Sequence, residues 1–161
     1  MSKILYYPTS FEDAVKIVRQ RKIFSPHDKE KIRIGEKNQI KILSEDVLKV
    51  KTLEALARNW PGADLQDLKR VELISPVDVI DPYCLAIAIR NPKGGVALGM
   101  RYPERISEGE GYEKAGSYYL KSPLLILDIV EVRFTKKAEA YLERMKKNLH
   151  SSVKYVNISR H

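Results

Sequence analysis

The sequence predicts a single α+β domain in which strands and helices are grouped rather than alternating. Three observations carry that expectation. The chain opens on a strand–turn–helix unit at residues 4–18. Its second half is rich in short apolar runs of strand length bounded by turns. Helical and strand patterns do not alternate regularly, which argues against a parallel, doubly wound sheet. With 161 residues, the chain has the length of one domain, for which about 100–200 residues is usual. At 43% hydrophobic residues it can bury a core, and no repeat, low-complexity tract or Pro/Gly/Ser linker divides it.

The elements follow in order. Ile4 to Tyr7 form an apolar strand, and Pro8 ends its ladder because it has no N–H to donate. Ser10 suits an N-cap, with Asp13 three residues on; Ala14, Ile17 and Val18 then recur at helical spacing. Residues 31–43 alternate (Ile32, Ile34, Ile40, Ile42), so two short strands are expected around residues 35–38. Ser44 opens a helix with Leu48, Leu53, Leu56 and Ala57 on its apolar face, broken at Pro61-Gly62; Leu65 and Leu68 allow one more helical turn. Strands are expected at 71–74, 84–89, 96–100, 118–120 and 124–132. The Asn91–Gly95 turn would join 84–90 and 96–101 as a hairpin. Residues 103–116 read as a mobile loop. Thr135 starts a helix carrying Ala138, Tyr141, Leu142, Met145 and Leu149, and 153–158 is a last strand at an edge.

Charge points to a polyanionic partner. The formal net charge is +8 and the pI about 9.5, which biases association towards nucleic acid. Lys16, Arg19, Lys22, Arg33 and Lys37 lie in a basic stretch from 16 to 41, and they are the candidate phosphate contacts. A second cluster includes Lys136, Lys137, Arg144, Lys146, Lys147 and Lys154. A solvated lysine surface is the competing explanation, since charged residues make up 31% of the chain.

Other classes are excluded or unsupported. The single cysteine, Cys84, permits neither an internal disulfide nor a cysteine-based zinc cluster. The three histidines, His27, His150 and His161, are far apart, so no metal is expected. There is no P-loop and no G-x-G-x-x-G, and no nucleophile elbow supports Ser/His/Asp chemistry. The opening residues lack the apolar run of about 7–15 residues that marks a signal peptide. The most apolar stretch, 123–130, contains Asp128 and is far shorter than the roughly 18 residues of a membrane span. A cytoplasmic protein without a membrane partner is the expectation.

Two segments carry a resemblance. Ile4-Leu5-Tyr6-Tyr7-Pro8-Thr9-Ser10, followed by Ala14, Ile17 and Val18, resembles the opening unit of ADP-ribosyltransferases, where an apolar strand ends in Tyr-His-Gly-Thr-Ser. Residues 114–123, then 126–132 and the helix from Thr135, resemble the C-terminal part of the DNA ADP-ribosylating toxin family (the DarT type). There a stretch like Ala-Glu-Phe-Leu-Val precedes a strand, a helix and a final strand. The match covers about 60 residues at the two ends. It implies two small, packed, mainly antiparallel sheets with flanking helices, and NAD as the cofactor.

The resemblance also assigns roles. The family's NAD-binding histidine falls on Tyr7, its following glycine on Pro8, and its catalytic glutamate on Tyr118, or on Ser117 one register away. Tyr7, Thr9 and Ser10 would then meet the nucleotide, and Tyr102 would stack on nicotinamide. A neutral phenol at Tyr118 cannot stabilise positive charge on a sugar as a carboxylate does. Glu110 and Glu113, with Glu108 beside them, are the candidate replacements. The readings are therefore a divergent ADP-ribosyltransferase-like enzyme acting on nucleic acid, DNA or RNA, or a non-catalytic nucleic-acid-binding module on the same fold. A structural or partner-binding protein is a third class, for which no specific residue argues.

Overall fold

The computed structural model describes residues 2–37, 44–126 and 128–158. Strand β1 (Ser2–Ser10) leads into helix α1 (Phe11–Gln20), then β2 (Lys22–Ile23), α2 (Pro26–Lys37), α3 (Glu45–Asn59) and α4 (Leu65–Leu68). Next come β3 (Arg70–Ile74), α5 (Val77–Arg90), β4 (Gly95–Pro103), β5 (Gly111–Lys114), β6 (Ser117–Lys121), β7 (Leu124–Leu125) and β8 (Ile129–Phe134). The short helices α6 (Lys136–Glu139) and α7 (Glu143–Lys146) precede β9 (Lys154–Asn157). The chain is α+β, and its sheet is mostly antiparallel.

The seven-stranded sheet has the order β5-β6-β3-β1-β4-β8-β9, and only β8 and β9 run parallel. β1 pairs with β4 along its whole length, from Ser2 opposite Pro103 to Ser10 opposite Gly95. Against β3 it makes one registered pair, Tyr6 with Ile74. Where the resemblance implies two small packed sheets, the described strands form a two-stranded sheet and this seven-stranded one. It has a four-stranded half and a three-stranded half that touch through a single pair. β2 and β7 form a separate two-stranded ribbon.

Alternation along the strands sorts the core onto two faces. On one face Leu5, Leu73, Leu98, Met100 and Val132 pack under α1, which contributes Phe11, Ala14, Val15, Ile17 and Val18. The Ser10 hydroxyl accepts from the Asp13 N–H at 3.2 Å and caps α1 as its sequence suggests. On the other face Tyr6, Ile74, Ala97 and Ile158 pack against Ile80 and Cys84 of α5.

Several expectations are overturned. Residues 31–37 belong to helix α2, not to a strand, because Ile34 and Glu30 are buried one turn apart while Ile32 is exposed. Ile40 and Ile42 lie outside the described residues. Residues 84–89 are helical as well: α5 buries Ile80, Cys84 and Ala88 at four-residue spacing. A continuous apolar run carries no period to separate helix from strand. The expected 84–101 hairpin is therefore a helix-to-strand turn. Gly94 there takes φ 81°, and a Cβ on Gly95 would lie 2.5 Å from the Cys84 carbonyl oxygen.

The expected loop at 103–116 contains β5, which returns into β6 through Ala115 and Gly116, both at positive φ (52° and 84°). The run at 124–132 divides into β7 and β8. The C-terminal helix divides into α6 and α7. The Thr135 hydroxyl accepts from the Gly95 N–H at 3.0 Å instead of capping α6.

Candidate functional site

The parting of β1 from β3 creates a concave site. Beyond the Tyr6–Ile74 pair a cavity of about 570 Å³ opens. Tyr7 and Pro8 line it from β1, Glu72 and Ile74 from β3, and Tyr119 from β6. Trp60, Tyr83 and Phe24 add aromatic wall. Its volume lies in the range of roughly 300–1,000 Å³ usual for small-molecule sites.

The polar groups of this cavity are organised by β3 and β6. Tyr119 stands in register with Glu72, and its hydroxyl donates to the Glu72 Oε2 at 2.9 Å. Burial, then this carboxylate, pushes the Tyr119 phenol well above its usual range. Tyr112 stacks on Tyr119 at 5.4 Å and donates to Asp67. Burial and that bond push Tyr112 up to about 12. Lys114 donates to Asp67 at 2.6 Å, and Lys114 is the first cause holding the Asp67 carboxyl below its usual value. The Arg70 guanidinium lies over the Tyr112 ring at 5.2 Å. Its Nη1 is buried without a hydrogen-bond partner among the described residues. Arg70 lines the cavity, and its guanidinium brings a positive charge to a wall that also carries Glu72, Asp64 and Asp67.

The candidate residues fall in two places. Tyr7 lines this cavity, and its hydroxyl oxygen accepts from the Lys29 Nζ at 2.6 Å. Thr9 is buried and Ser10 is engaged as a cap; neither lines the cavity. Tyr118, Glu113 and Tyr102 gather instead around Lys3, and Glu110 acts on Tyr102. The Lys3 ammonium sits over the Tyr118 ring at 3.9 Å, and Tyr102 is in register with Lys3. Glu113 is in register with Tyr118, and both line a smaller cavity of about 260 Å³ with Lys3 and Arg105. Burial, with Glu110 adding, pushes the Tyr102 phenol up to about 12.

The carboxylates that share the cavity with Tyr7 are thus Glu72, Asp64 and Asp67, not Glu110 or Glu113. Sequence reading passes over Glu72. The available signal is the alternation Arg70-Val71-Glu72-Leu73, which puts two charges on one face of a short strand.

The basic residues also divide. Lys16 and Arg19 are exposed on the outer side of α1. Lys22 follows on β2, with its ammonium 5.3 Å from the Phe24 ring centre. Lys37 is exposed at the end of α2. Arg33 is held by Glu30 through Nε at 3.0 Å and Nη2 at 2.7 Å, so its charge is largely neutralised.

Two further polar clusters have structural explanations. Across the sheet, Tyr6 donates to Glu131 at 2.6 Å. Arg133 bonds Glu131 at 3.3 Å and grips Asp81 through two nitrogens at 2.7 and 2.8 Å. Near α2, beside a polar cavity of about 600 Å³, His27 Nδ1 lies 3.3 Å from Asp28, and the Ser122 hydroxyl donates to the same carboxylate. Asp28 stands between His27 and Ser122, so the imidazole cannot take the serine proton as in a catalytic triad. Burial pushes the Cys84 thiol up to about 12, which leaves it unreactive. Among the described residues no cluster of three metal-ligating side chains occurs, and no helix is long and apolar enough to cross a membrane.

No family model, curated protein or solved structure matches the chain.

Proposed function

We propose that this chain is a divergent ADP-ribosyltransferase-like protein that binds NAD in the cavity between β1 and β3 and acts on nucleic acid. The observation that carries the reading is the company Tyr7 keeps. The cavity beside it is lined by the Glu72 carboxylate and the Arg70 guanidinium.

NAD, when bound, would supply a glycosidic bond whose cleavage releases nicotinamide and passes ADP-ribose to a nucleophile. The chain's own residues have distinct tasks in this reading. The Arg70 guanidinium would hold the pyrophosphate. Tyr7 offers its hydroxyl to a ribose. Trp60 and Tyr83 give flat faces to the rings. Glu72, oriented by Tyr119, opposes positive charge on the sugar and takes the proton of the acceptor. It replaces the carboxylate that the resemblance would place at Tyr118. Lys16, Arg19 and Lys22 hold the acceptor's phosphates.

A non-catalytic nucleic-acid-binding module is the second reading. One observation favours it: the exposed cations of α1 stand clear of the cavity and need no chemistry there. Incubation with NAD labelled in the adenosine moiety separates the two. Label transferred to single-stranded or duplex DNA or RNA supports the enzyme. Nucleic-acid binding that weakens steeply with salt, with no NAD-dependent label, supports the module and overturns the enzyme.

A further inference from the structure

The two basic stretches of the chain, far apart in sequence, meet where α7 packs beside α1. At one end Arg144 Nη1 lies 3.5 Å from the Glu12 carboxylate, and the Arg144 guanidinium lies 5.6 Å from the centre of the Phe11 ring. At the other end Arg21 Nη2 donates to the Asn148 carbonyl oxygen at 2.8 Å. The two segments therefore run side by side in the same direction.

Each segment carries a row of exposed side chains. On α1, Glu12, Lys16 and Arg19 recur at helical spacing, and all three are exposed. Residues 141–149 are wound more tightly. Backbone bonds there mostly span three residues, such as the Arg144 N–H to Tyr141 at 3.0 Å and the Asn148 N–H to Met145 at 3.1 Å. Side chains three apart then eclipse, so the exposed Arg144 and Lys147 stand in one row. Lys147 lies about 6 Å beyond Arg144, at a rise of about 2.0 Å per residue. Lys16 lies about 6 Å beyond Glu12, at about 1.5 Å per residue. Glu12 and Arg144 are paired, so Lys147 comes level with Lys16. Glu12 itself is neutralised by Lys93 at 2.6 Å and by Arg144. We infer that the two rows form one docking surface for duplex DNA, gripping phosphates of both strands across the minor groove.

Two rows select a duplex. Packed helices lie about 8–10 Å apart, which sets the spacing of the rows. The strands of B-DNA face each other across a minor groove about 6 Å wide, a span that long Lys and Arg side chains reach from both rows. A single strand offers one line of phosphates and engages one row. A-form RNA sets its strands wider apart across the minor groove. The inference rests on the nucleic-acid half of the proposed function and owes nothing to NAD. None of Lys16, Arg19, Arg144 and Lys147 lines the cavity beside Tyr7.

Fluorescence anisotropy of a short labelled DNA duplex, with the full chain and no NAD, tests the surface. Lys147→Glu should weaken binding several-fold and flatten the slope of log affinity against log salt by at least about 0.9. Lys147→Arg should bind as the wild type does. Lys146→Glu is the control of equal charge, because Lys146 leaves the row: its ammonium lies over the Tyr155 ring at 4.9 Å and 3.5 Å from Glu143. Its effect should be clearly smaller. All three changes are at exposed positions, so the circular dichroism spectrum should not move. Equal losses from Lys146→Glu and Lys147→Glu overturn the inference, because net charge alone would then govern binding. A wild type that prefers the single strand, duplex RNA or anionic lipid vesicles to duplex DNA overturns it as well. Loss of affinity on Lys16→Glu but not on Lys147→Glu overturns the second row and leaves the α1 phosphate contacts of the proposed function standing. A chain that binds NAD but no duplex DNA loses this surface and keeps the cavity.

Discussion

Tyr119 donates its phenolic hydrogen to Glu72 at 2.9 Å, and the two residues stand in register on adjacent strands. That bond fixes a carboxylate in the cavity lined by Tyr7. Glu72→Gln keeps the shape and removes the charge. The expected result is a loss of ADP-ribosyl transfer of about 10²–10⁴-fold, the usual contribution of a positioned acid–base group, with NAD affinity little changed. Tyr119→Phe leaves the carboxylate but frees its orientation, and the expected loss is smaller. Initial rates of label transfer check both.

Where the sheet packs against α5, Arg133 links Asp81 to Glu131, which also accepts from Tyr6. Arg133→Met strands two carboxylates, and Glu131 is buried. Its expected cost is about 3–5 kcal/mol in urea unfolding. Tyr6→Phe leaves Glu131 with Arg133 as partner and costs about 1–3 kcal/mol. Neither residue lines the cavity. At temperatures where the variants remain folded, NAD binding should therefore be unchanged.

Alkali should loosen the domain through its buried phenols. In the folded chain Tyr102 is raised from the usual 10.0 to about 12, chiefly by burial. The fold thus favours the protonated form. That contribution is complete below pH 10.0 and declines as pH rises towards about 12. Thermal melts of the wild type should fall across this window. Tyr102→Phe should show a shallower fall over the same interval. Parallel curves would mean that the Tyr102 phenol does not contribute.

Reversing charge tests the basic face. A Lys16→Glu/Arg19→Glu/Lys22→Glu variant changes side chains that are exposed or half-exposed, so the fold should hold. Nucleic-acid affinity should drop at low salt. The slope of log affinity against log salt should flatten by roughly 0.7–0.9 for each phosphate the variant no longer neutralises. Arg33→Ala should matter less, because Glu30 already neutralises that guanidinium. Fluorescence anisotropy at several salt concentrations measures both.

The opening unit is legible in the sequence because its determinants are local. Ser10 caps and Ala14, Ile17 and Val18 recur at helical spacing, and all three are buried in α1. Helix α5 is illegible because apolar residues stand on both its sides, Ile80, Cys84 and Ala88 buried and Val79, Leu85 and Ile89 exposed, so no polar side reports its period. In α2, Ile32 and Ile34 mimic strand alternation although only Ile34 is buried. The cavity is legible only on the β1 side, at Tyr7. Glu72 is brought near by pairing between segments more than 60 residues apart in the chain, through Tyr6 and Ile74, and no local pattern encodes that pairing. The resemblance puts Tyr118 and Glu113 in one site with Tyr7, yet alternation along β6 turns Tyr118 towards Lys3 and gives the cavity to Tyr119.

Calorimetric titration of NAD into the wild type and an Arg70→Ala variant is the most direct test of an NAD site beside Tyr7. Saturable binding to the wild type is expected, with binding to the variant at least about tenfold weaker through loss of a charge-assisted hydrogen bond, and the same folded spectrum for both. Absence of heat with the wild type, or equal affinity for the two proteins, would contradict that site.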